Sequence, residues 1–376
     1  MNDVLHPALR PERIGNLSLA NRLAVSPMTR VSATADGTPT GEMAGYYAEY
    51  ARGGFSLVVT EGTYTDTWHS QGYANQPGIV TDGHEAAWRE IAGQVRAAGA
   101  AFVLQLMHAG ALSQGSHYRD DTVAPSAVRP RGEKLPEYGG HGPWPTPRAM
   151  DQDDIDRAVR GFVAAAVRAR RAGFDGVEVH GANGYLVDQF LTDYTNRRAD
   201  RYGGPVSHRV RLAAEIVSAI RAELGPDFCV GIRLSQGKVN DFTHRWAGGS
   251  RDAETIFAAL AEAGASYLHI ASEGRDWVET ATLDGGMTIT GLARKVTRLP
   301  VLANGGMHDA ARAATVLEDG HADVLAVGRG ALANPDFPRR LAQGLPMAPF
   351  DHQMLQPMAT LSNARQWRRA GSVTAS

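Results

Sequence analysis

Residues 151–185 have the sequence DQDDIDRAVRGFVAAAVRARRAGFDGVEVHGANGY, which holds one full unit of the pattern that decides the fold. From Asp151 to Gly173 the apolar residues recur at helical spacing, and the segment ends in glycine, as many helices do. A short run follows at once, Gly176–His180, in which valines alternate with other residues as in a strand. A helix followed directly by a strand is the repeating unit of parallel α/β folds.

The same alternation runs along the whole chain of 376 residues. Eight short runs rich in Val, Ile and Leu are predicted strands: Leu23–Met28, Leu57–Glu61, Phe102–Leu106, Gly176–His180, Cys229–Ser235, Tyr267–Ala271, Val301–Ala303 and Val324–Val327. Predicted helices between them include His84–Gly99, Asp151–Gly173, Ser207–Leu224, Asp252–Gly264 and His308–Gly320. An open, doubly wound sheet has the same local pattern, but a count of eight strands favours a closed (β/α)8 barrel, the TIM-barrel fold. We therefore predict an α/β protein with a single barrel domain over residues 1–376.

Several segments lie outside the repeat. Arg13–Leu19 is predicted to form an N-terminal hairpin that closes the bottom of the barrel. Three connections are longer than a barrel needs, namely Gly110–Met150, the stretch after Ser235 and the stretch after Ser272. Each follows a strand, so each is expected on the C-terminal face where barrel enzymes have their active sites. The loop at 110–150 is long enough to cap that face, and a short C-terminal tail begins at about residue 355.

Composition excludes several classes of function. The net charge of -2 gives no electrostatic footprint for nucleic acid or for an anionic membrane surface, so a small-molecule partner is favoured. The single cysteine, Cys229, excludes a disulfide framework, a multi-thiolate zinc site and a cysteine-held iron–sulfur cluster, and no metal site is predicted. Redox chemistry would then need a bound organic cofactor. The N-terminus has no apolar secretion signal and no run is long enough to span a membrane, so a cytoplasmic location is expected.

The end of the fourth predicted strand carries three polar side chains, His180, Asn183 and Tyr185. Alternation puts His180 on the same side as Glu178, toward the barrel interior and its upper rim. His180 and Asn183 could donate hydrogen bonds to a carbonyl oxygen on which negative charge develops, and Tyr185 could supply a proton. A single strand-end histidine or turn tyrosine is more often a packing residue, so the residues alone leave both interpretations open.

Glycines follow the last two predicted strands, in Asn304-Gly305-Gly306 and in Gly328-Arg329. Backbone N–H groups at such glycines can approach a phosphate closely, and an adjacent arginine adds charge and a bidentate fork. Glycines at strand-to-helix turns also serve plain turn geometry. Their joint position at the usual phosphate site of barrels favours a phosphorylated ligand.

Polar residues at three other strands are candidate ligands for a planar heterocycle. Thr29 and Gln105 offer donors and acceptors that suit alternating N–H and C=O edges, and Arg233 could stabilise a reduced, anionic ring. The alternative is a buried network between strands, with Glu178 as the partner of Arg233. The sequence does not decide between the two.

Taken together, the motifs resemble the Old Yellow Enzyme family of FMN-dependent NAD(P)H oxidoreductases, over nearly the whole chain from Arg13 to about Met354. They are, in order, Asn21-Arg22 with Ser26-Pro27-Met28-Thr29-Arg30, Gln105-Leu106-Met107-His108, His180 to Leu186, Gln189-Phe190-Leu191, Asn196 to Gly204, Arg233-Leu234-Ser235, Ala303 to Gly306 and Gly328-Arg329. The stretch 236–246 is longer than in the best-known members.

The resemblance implies an NAD(P)H-dependent ene-reductase that reduces the C=C bond of α,β-unsaturated carbonyl or nitro compounds. It implies bound FMN, with NADPH or NADH as hydride donor, substrate held by His180 and Asn183, hydride from flavin N5 and a proton from Tyr185. The implied FMN contacts are Pro27, Met28, Thr29, Gly62, Gln105, Arg233, Asn304, Gly305, Gly306, Gly328 and Arg329.

Three alternatives remain at this stage. Another FMN-barrel dehydrogenase would ordinarily need a loop cysteine or serine as base, and Cys229 lies in a predicted strand. A cofactor-free lyase or aldolase would need Lys238 for a Schiff base, since it is the one lysine near the expected face. A flavin-binding protein without turnover would share the fold. Near the C-terminus, Trp367, Arg368 and Arg369 are candidates for contact with a second subunit in a homodimer.

Overall fold

The computed structural model describes residues 5–272, 277 and 281–374. Eight parallel strands form its centre: β1 (Leu23–Val25), β2 (Leu57–Val59), β3 (Ala101–Met107), β4 (Gly176–Asn183), β5 (Cys229–Lys238), β6 (Tyr267–Ala271), β7 (Val301–Asn304) and β8 (Val324–Val327). They pair in the order β2-β1-β8-β7-β6-β5-β4-β3, and pairing of β2 with β3 closes the cylinder. The predicted (β/α)8 barrel is confirmed.

A helix follows each strand in the chain. The eight helices are α1 (Gly41–Arg52), α2 (Asp82–Ala97), α3 (Gln152–Arg171), α4 (Arg211–Leu224), α5 (Ser250–Glu262), α6 (Ile289–Thr297), α7 (Ala310–Glu318) and α8 (Phe337–Gln343). Shorter or peripheral helices are Leu186–Leu191, Val206–Arg209, Arg329–Ala333 and Leu361–Thr374. Minor strands are Glu12–Ile14, Leu17–Leu19, Thr63–Tyr64, Val123–Ala124 and Arg148–Ala149. Thr63–Tyr64 pairs with the outer end of β3 as an additional strand.

Several predicted boundaries differ from those in the structure by a few residues, and two of these differences have a visible structural basis. The strand predicted to end at His180 continues to Asn183, because β5 runs beside it and pairs Lys238 with Asn183 beyond an irregularity. The helix predicted over Ser207–Leu224 is divided at Val210. Backbone bonds from Val210 to Val206 and from Ala214 to Val210 bridge the division, so the backbone stays helical there.

The predicted hairpin closes the bottom of the barrel. Glu12–Ile14 and Leu17–Leu19 pair antiparallel across a turn in which Gly15 has φ +55°. Ile14, Leu17 and Leu19 are buried against the first residues of the strands, including Leu57. An apolar layer of this kind excludes water from the lower end of the cylinder. Cys229 lies in the same layer, 1% exposed, and burial raises the pKa of its thiol to about 12.

The three connections predicted to be long lie after β3, β5 and β6, and the structure shows a further long connection after β2, residues 60–81. Residues 110–150 contain two single helical turns, Gly110–Leu112 and Pro136–Tyr138, and the paired short strands Val123–Ala124 and Arg148–Ala149. Residues 273–276 and 278–280 of the connection predicted after Ser272 lie outside the described residues. Among the described helices, none combines the length and the apolar character that crossing a bilayer requires.

Truncation of the hairpin tests the role of this apolar layer. Ile14 is fully buried, so we expect Ile14→Ala to lower the free energy of unfolding by about 2–5 kcal/mol, through lost apolar contact and the cavity left behind. Urea unfolding of the purified variant measures the change. The control is Leu5→Ala, since Leu5 is 54% exposed and its loss should change stability by less than about 0.5 kcal/mol. Equal effects of the two variants would contradict the assigned role.

Candidate active site

One cavity of about 530 Å³ lies at the carboxyl ends of the strands. Every residue predicted to belong to the site lines it, although the chain brings them from seven different strands or strand ends: Pro27, Met28, Thr29, Gly62, Gln105, His180, Asn183, Tyr185, Arg233, Asn304, Gly305, Gly306, Gly328 and Arg329. Residues from more distant segments close its outer part, namely Leu135, Glu137, Tyr138, Val239, Phe242, His352, Leu355 and Ala359. The cavity has the size and the mixed apolar and polar lining of a small-molecule site.

A left-handed turn at the end of β4 brings three of these residues together. Asn183 has φ +67° and Gly184 has φ +87°. Both lie in the left-handed region of backbone conformation, which glycine and asparagine enter more readily than other residues. The strand ends at Asn183, three residues beyond His180, and the helix Leu186–Leu191 begins after Tyr185. The rings of His180 and Tyr185 consequently lie edge to face, with centroids 5.0 Å apart.

Two polar atoms of this group are buried without a partner. Within the described residues, neither Nδ1 of His180 nor Oδ1 of Asn183 has a hydrogen bond. Buried polar groups are normally paired, so such atoms in a cavity indicate groups that a ligand or water satisfies. Burial, with the positive charge of Arg233 and the nearby His269, holds the pKa of His180 well below its usual value. A neutral imidazole can donate from one ring nitrogen only.

Tyr185 has a partner that the sequence did not reveal. The Tyr73 hydroxyl forms a hydrogen bond with the Tyr185 hydroxyl, across 112 positions of the chain. Tyr73 is 1% exposed, and burial together with the adjacent Tyr185 raises the pKa of its phenol well above the usual value. The Tyr73 hydroxyl therefore stays protonated at neutral pH, in hydrogen-bond contact with the Tyr185 hydroxyl.

A buried carboxylate lies beneath the cavity floor. Glu178 accepts hydrogen bonds from Gln105 Nε2 at 2.8 Å, Tyr267 OH at 3.0 Å and His269 Nδ1 at 2.9 Å. Burial acts to raise the pKa of Glu178, but His269, the charge of Arg233 and the bond from Gln105 outweigh it, so the pKa lies below the usual value. This fixed charge orients the Gln105 amide at the cavity.

Arg233 lies on the other side of this floor. Its guanidinium donates to Asn304 Oδ1 at 3.2 Å, and Asn304 donates to Ser26 Oγ at 3.0 Å and to Ala326 O at 2.9 Å. The bonds connect β5, β7, β8 and the end of β1. An arginine held in this way supplies a fixed positive charge to any ring bound above it.

The glycines after β7 and β8 leave backbone exposed to the cavity. Gly305 has φ +128°, and a Cβ there would approach Ser272 Cβ to 2.6 Å. A Cβ added at Gly328 would meet nothing closer than 3.8 Å, so it would fill open space beside Met28. Uncovered backbone next to Arg329 fits a phosphate. The Gln105 amide, the Arg233 guanidinium and this cradle together fit a flavin mononucleotide, and the unpaired atoms of His180 and Asn183 leave polar groups for a second ligand.

The alternatives based on a lysine or a cysteine find no support in this geometry. Lys238 is 1% exposed, pairs with Asp188 at 2.7 Å and does not line the cavity. Cys229 is in the apolar layer at the opposite end of the barrel. The charged stretch Asn196 to Gly204 does not line the cavity, and Arg198 pairs with Asp200 at 2.6 Å inside it. A larger depression of about 780 Å³ between α3, α4 and α5 contains none of the predicted site residues.

Comparison with known proteins agrees with this geometry. The family model of the NADH:flavin oxidoreductase / NADH oxidase family matches residues 9–348. A structure of morphinone reductase in complex with tetrahydroNAD superposes with a TM-score of 0.82 at 35% identity, covering 93% of each chain. The structure of the old yellow enzyme homologue from Zymomonas mobilis superposes with a TM-score of 0.82. The two sequences are 30% identical, and the match covers 93% of this chain and 96% of that one. This chain belongs to the Old Yellow Enzyme family.

Other Old Yellow Enzyme relatives cover the chain equally well. Chanoclavine-I aldehyde reductase of Penicillium roqueforti is 34% identical over 355 residues, which span 91% of this chain and 90% of the relative. The chain is therefore an oxidoreductase of the flavin- and nicotinamide-nucleotide-using class. The family assignment made from the sequence is confirmed.

Some site residues could have been found from the sequence and others could not. His269 and Tyr267 alternate along β6 as Glu178 and His180 do along β4, so period-two reasoning could have placed them in the interior. Tyr73 lies in an irregular segment after β2, where no periodic signal exists. No local sequence pattern predicts the ion pair between Asp188 and Lys238 either, because the two residues are 50 positions apart.

The protonation state of His180 can be measured directly. At a pH of about 6.5 an ordinary histidine is half protonated, whereas the lowered pKa of His180 predicts a neutral ring at that pH. Nitrogen NMR of ¹⁵N-histidine-labelled protein reports the state, and the signals lost in His180→Gln identify the residue. A His180 signal that titrates at the ordinary value would contradict the electrostatic picture.

Proposed function

We propose that the protein is an FMN-dependent ene-reductase that uses NADPH or NADH to reduce the C=C bond of α,β-unsaturated carbonyl or nitro compounds. The observation that carries the proposal is the convergence of His180, Asn183 and Tyr185 on the cavity that Arg233 and the strand-end glycines also line. Hydrogen-bond donors for an oxyanion, a proton donor and a phosphate cradle are the parts that this reaction needs.

FMN would be held by three groups of residues along the cavity. Gly305, Gly306, Gly328 and Arg329, with Asn304 beside them, suit the phosphate end. The polar edge of the ring would meet Gln105 and Arg233, and the remaining contacts would come from Pro27, Met28, Thr29 and Gly62. The fixed positions of Gln105, bonded to Glu178, and of Arg233, bonded to Asn304, support this arrangement.

FMN, when bound, would supply the redox chemistry, the transfer of hydride from the nicotinamide nucleotide to the β-carbon of the substrate. His180 and Asn183 would orient the substrate by donating to its carbonyl or nitro oxygen, where negative charge develops. The neutral state of His180 suits this role, since an N–H donor needs no net charge. Tyr185 would give its proton to the α-carbon, and the Tyr73 hydroxyl holds the Tyr185 hydroxyl in place.

The outer cavity wall supports a role for the loop at 110–150 as a cap over the substrate. Leu135, Glu137 and Tyr138 of that loop line the cavity together with Val239 and Phe242. A single FMN-binding domain over residues 1–376, a cytoplasmic location and a homodimer remain predictions. Arg368, suggested for subunit contact, pairs with Glu49 at 3.3 Å and donates to Leu332 O at 2.8 Å within its own chain.

The experiment that tests the function is an anaerobic spectroscopic titration. Flavin absorption bands that bleach on addition of NADPH or NADH and return on addition of 2-cyclohexenone would support both the cofactor and the reaction. The relative rates with the two donors would give the preference between them. A colourless protein that FMN does not reconstitute would refute the cofactor, and a yellow protein that ignores enones and nitroalkenes would leave the non-catalytic alternative.

Removal of both substrate-orienting side chains should separate the two half-reactions. We expect His180→Ala with Asn183→Ala to slow enone reduction by roughly 100-fold or more, because the developing oxyanion loses its donors, and to slow flavin reduction far less. Stopped-flow absorbance follows each half-reaction. The exposed His141→Ala serves as the control. Equal losses in both half-reactions would refute the assigned division of roles.

Removal of the Tyr185 hydroxyl tests the proton donor. We expect Tyr185→Phe to slow enone reduction by roughly 100-fold or more while flavin reduction continues, because only the enone step needs this proton. Steady-state turnover and the rate of flavin reduction are compared in the same preparation. An unchanged turnover number would assign the proton to another group or to water.

A further inference from the structure

A buried ion pair lies behind the turn that carries the proposed catalytic groups. Lys238 Nζ donates to Asp188 Oδ1 at 2.7 Å, and the two side chains are 1% and 0% exposed. Neither residue lines the main cavity, so neither touches a substrate held there. Removing two charges from water is unfavourable unless the geometry and further hydrogen bonds compensate for it. The contacts of the pair therefore indicate what it holds.

Both members of the pair connect to the turn. Asp188 Oδ2 accepts from the Gly184 backbone N–H at 2.7 Å, and Lys238 Nζ also lies 3.4 Å from Ser235 O. Ser235 Oγ accepts from the Asn183 backbone N–H at 2.8 Å. The backbone N–H groups of Asn183 and Gly184 thus donate to Ser235 and Asp188, and Lys238 contacts both of these residues. In the strand register, Lys238 is also directly opposite Asn183.

The geometry of the turn depends on its surroundings. Asn183 lies in the left-handed region, which asparagine enters more readily than most residues but still at a cost that the surrounding structure must offset. The space is also tight, since a Cβ at Gly184 would approach Asn240 Oδ1 to 2.8 Å and Lys238 Cβ to 3.3 Å. Small displacements here would move both the Asn183 amide and the Tyr185 hydroxyl.

We propose that Lys238 is a positioning residue, whose ion pair with Asp188 fixes the Asn183-Gly184-Tyr185 turn in the geometry that presents the Asn183 amide and the Tyr185 hydroxyl to the substrate. The effect of this ion pair on turnover rests on the proposed function. Its effect on the geometry of the turn does not rest on that function, because the backbone of the turn can be observed directly.

Substitution of the lysine should give the turn a pH dependence. The groups that face Asp188 are Lys238 from β5, His244 from the connection after β5, Tyr194 beyond the following helix and the Gly184 N–H. Burial raises the pKa of Asp188 even with Lys238 in place. In Lys238→Met the carboxyl is neutral at low pH, where the turn keeps its geometry. It ionises without its cation as the pH rises through the raised pKa, and the turn loosens.

The direct test is amide hydrogen exchange at Asn183 and Gly184 in the FMN-loaded protein. In K238M we expect exchange at these two amides to be roughly tenfold faster than in the wild type at the same pH, with the difference growing as pH rises, while amides of α3 do not change. Asp188→Asn keeps an acceptor for Gly184 but cannot ionise. The double variant K238M/D188N should therefore give an intermediate increase that does not depend on pH.

Turnover provides the second readout. We expect kcat/KM for an enone to fall roughly 10- to 100-fold in K238M at high pH and to recover partly at low pH, because misplacement of a donor by a fraction of an ångström is costly. Lys295→Met, at an exposed lysine of α6, is the matched control and should change neither readout.

The outcomes separate the two proposals. Wild-type exchange rates at Asn183 and Gly184 in a folded K238M would overturn the positioning role. If K238M does not fold, wild-type exchange in K238M/D188N would overturn it instead, because that variant has no unpaired buried charge. Faster, pH-dependent exchange in a protein whose wild type reduces no enone would leave the positioning role standing and refute the proposed function.

Discussion

The upper half of the barrel depends on the hydrogen bonds that the buried carboxylate of Glu178 accepts. It lies fully buried in the interior, where a charge is tolerated only if its lone pairs are satisfied. Side chains from β3 and β6 supply those bonds, through Gln105, Tyr267 and His269. The carboxylate thereby joins β4 to its neighbour β3 and also to β6, with which β4 does not pair. It also divides the cylinder into an apolar lower layer, sealed by the hairpin, and a polar upper layer that can bind a ligand.

Most of the fold could be predicted from the sequence because barrel strands are buried on both faces. Such strands have near-continuous runs of Val, Ile and Leu, and all eight runs became strands of the cylinder. Boundaries were less certain, because the extension of β4 to Asn183 depends on a partner, Lys238 of β5, that no local pattern specifies. The helix around Val210 was predicted as one element because its division at Val210 leaves the spacing of the apolar residues unchanged.

The candidate site followed from a rule of position more than from any single motif. Residues at the carboxyl ends of parallel strands meet at one face, so His180, Arg233 and Gly305 could be grouped although they lie far apart in the chain. What escaped prediction were contacts made by irregular segments. Tyr73 reaches Tyr185 across 112 positions and Lys238 reaches Asp188 across 50, through backbone paths that depend on tertiary packing.

The connection after β5 is attached firmly at both ends. Lys238 holds its beginning in the protein interior, and the bond from the Trp246 backbone to Gln236 Oε1, with Trp246 itself in the core, holds its end. Between these points the chain reaches the cavity with Phe242, which is 41% exposed. Residues 239–245 thus form a segment that is held at both ends and whose middle lies at the cavity. Under the proposed function, changes in the length and the side chains of this segment, natural or engineered, would change which molecules are accepted while the barrel strands stay as they are.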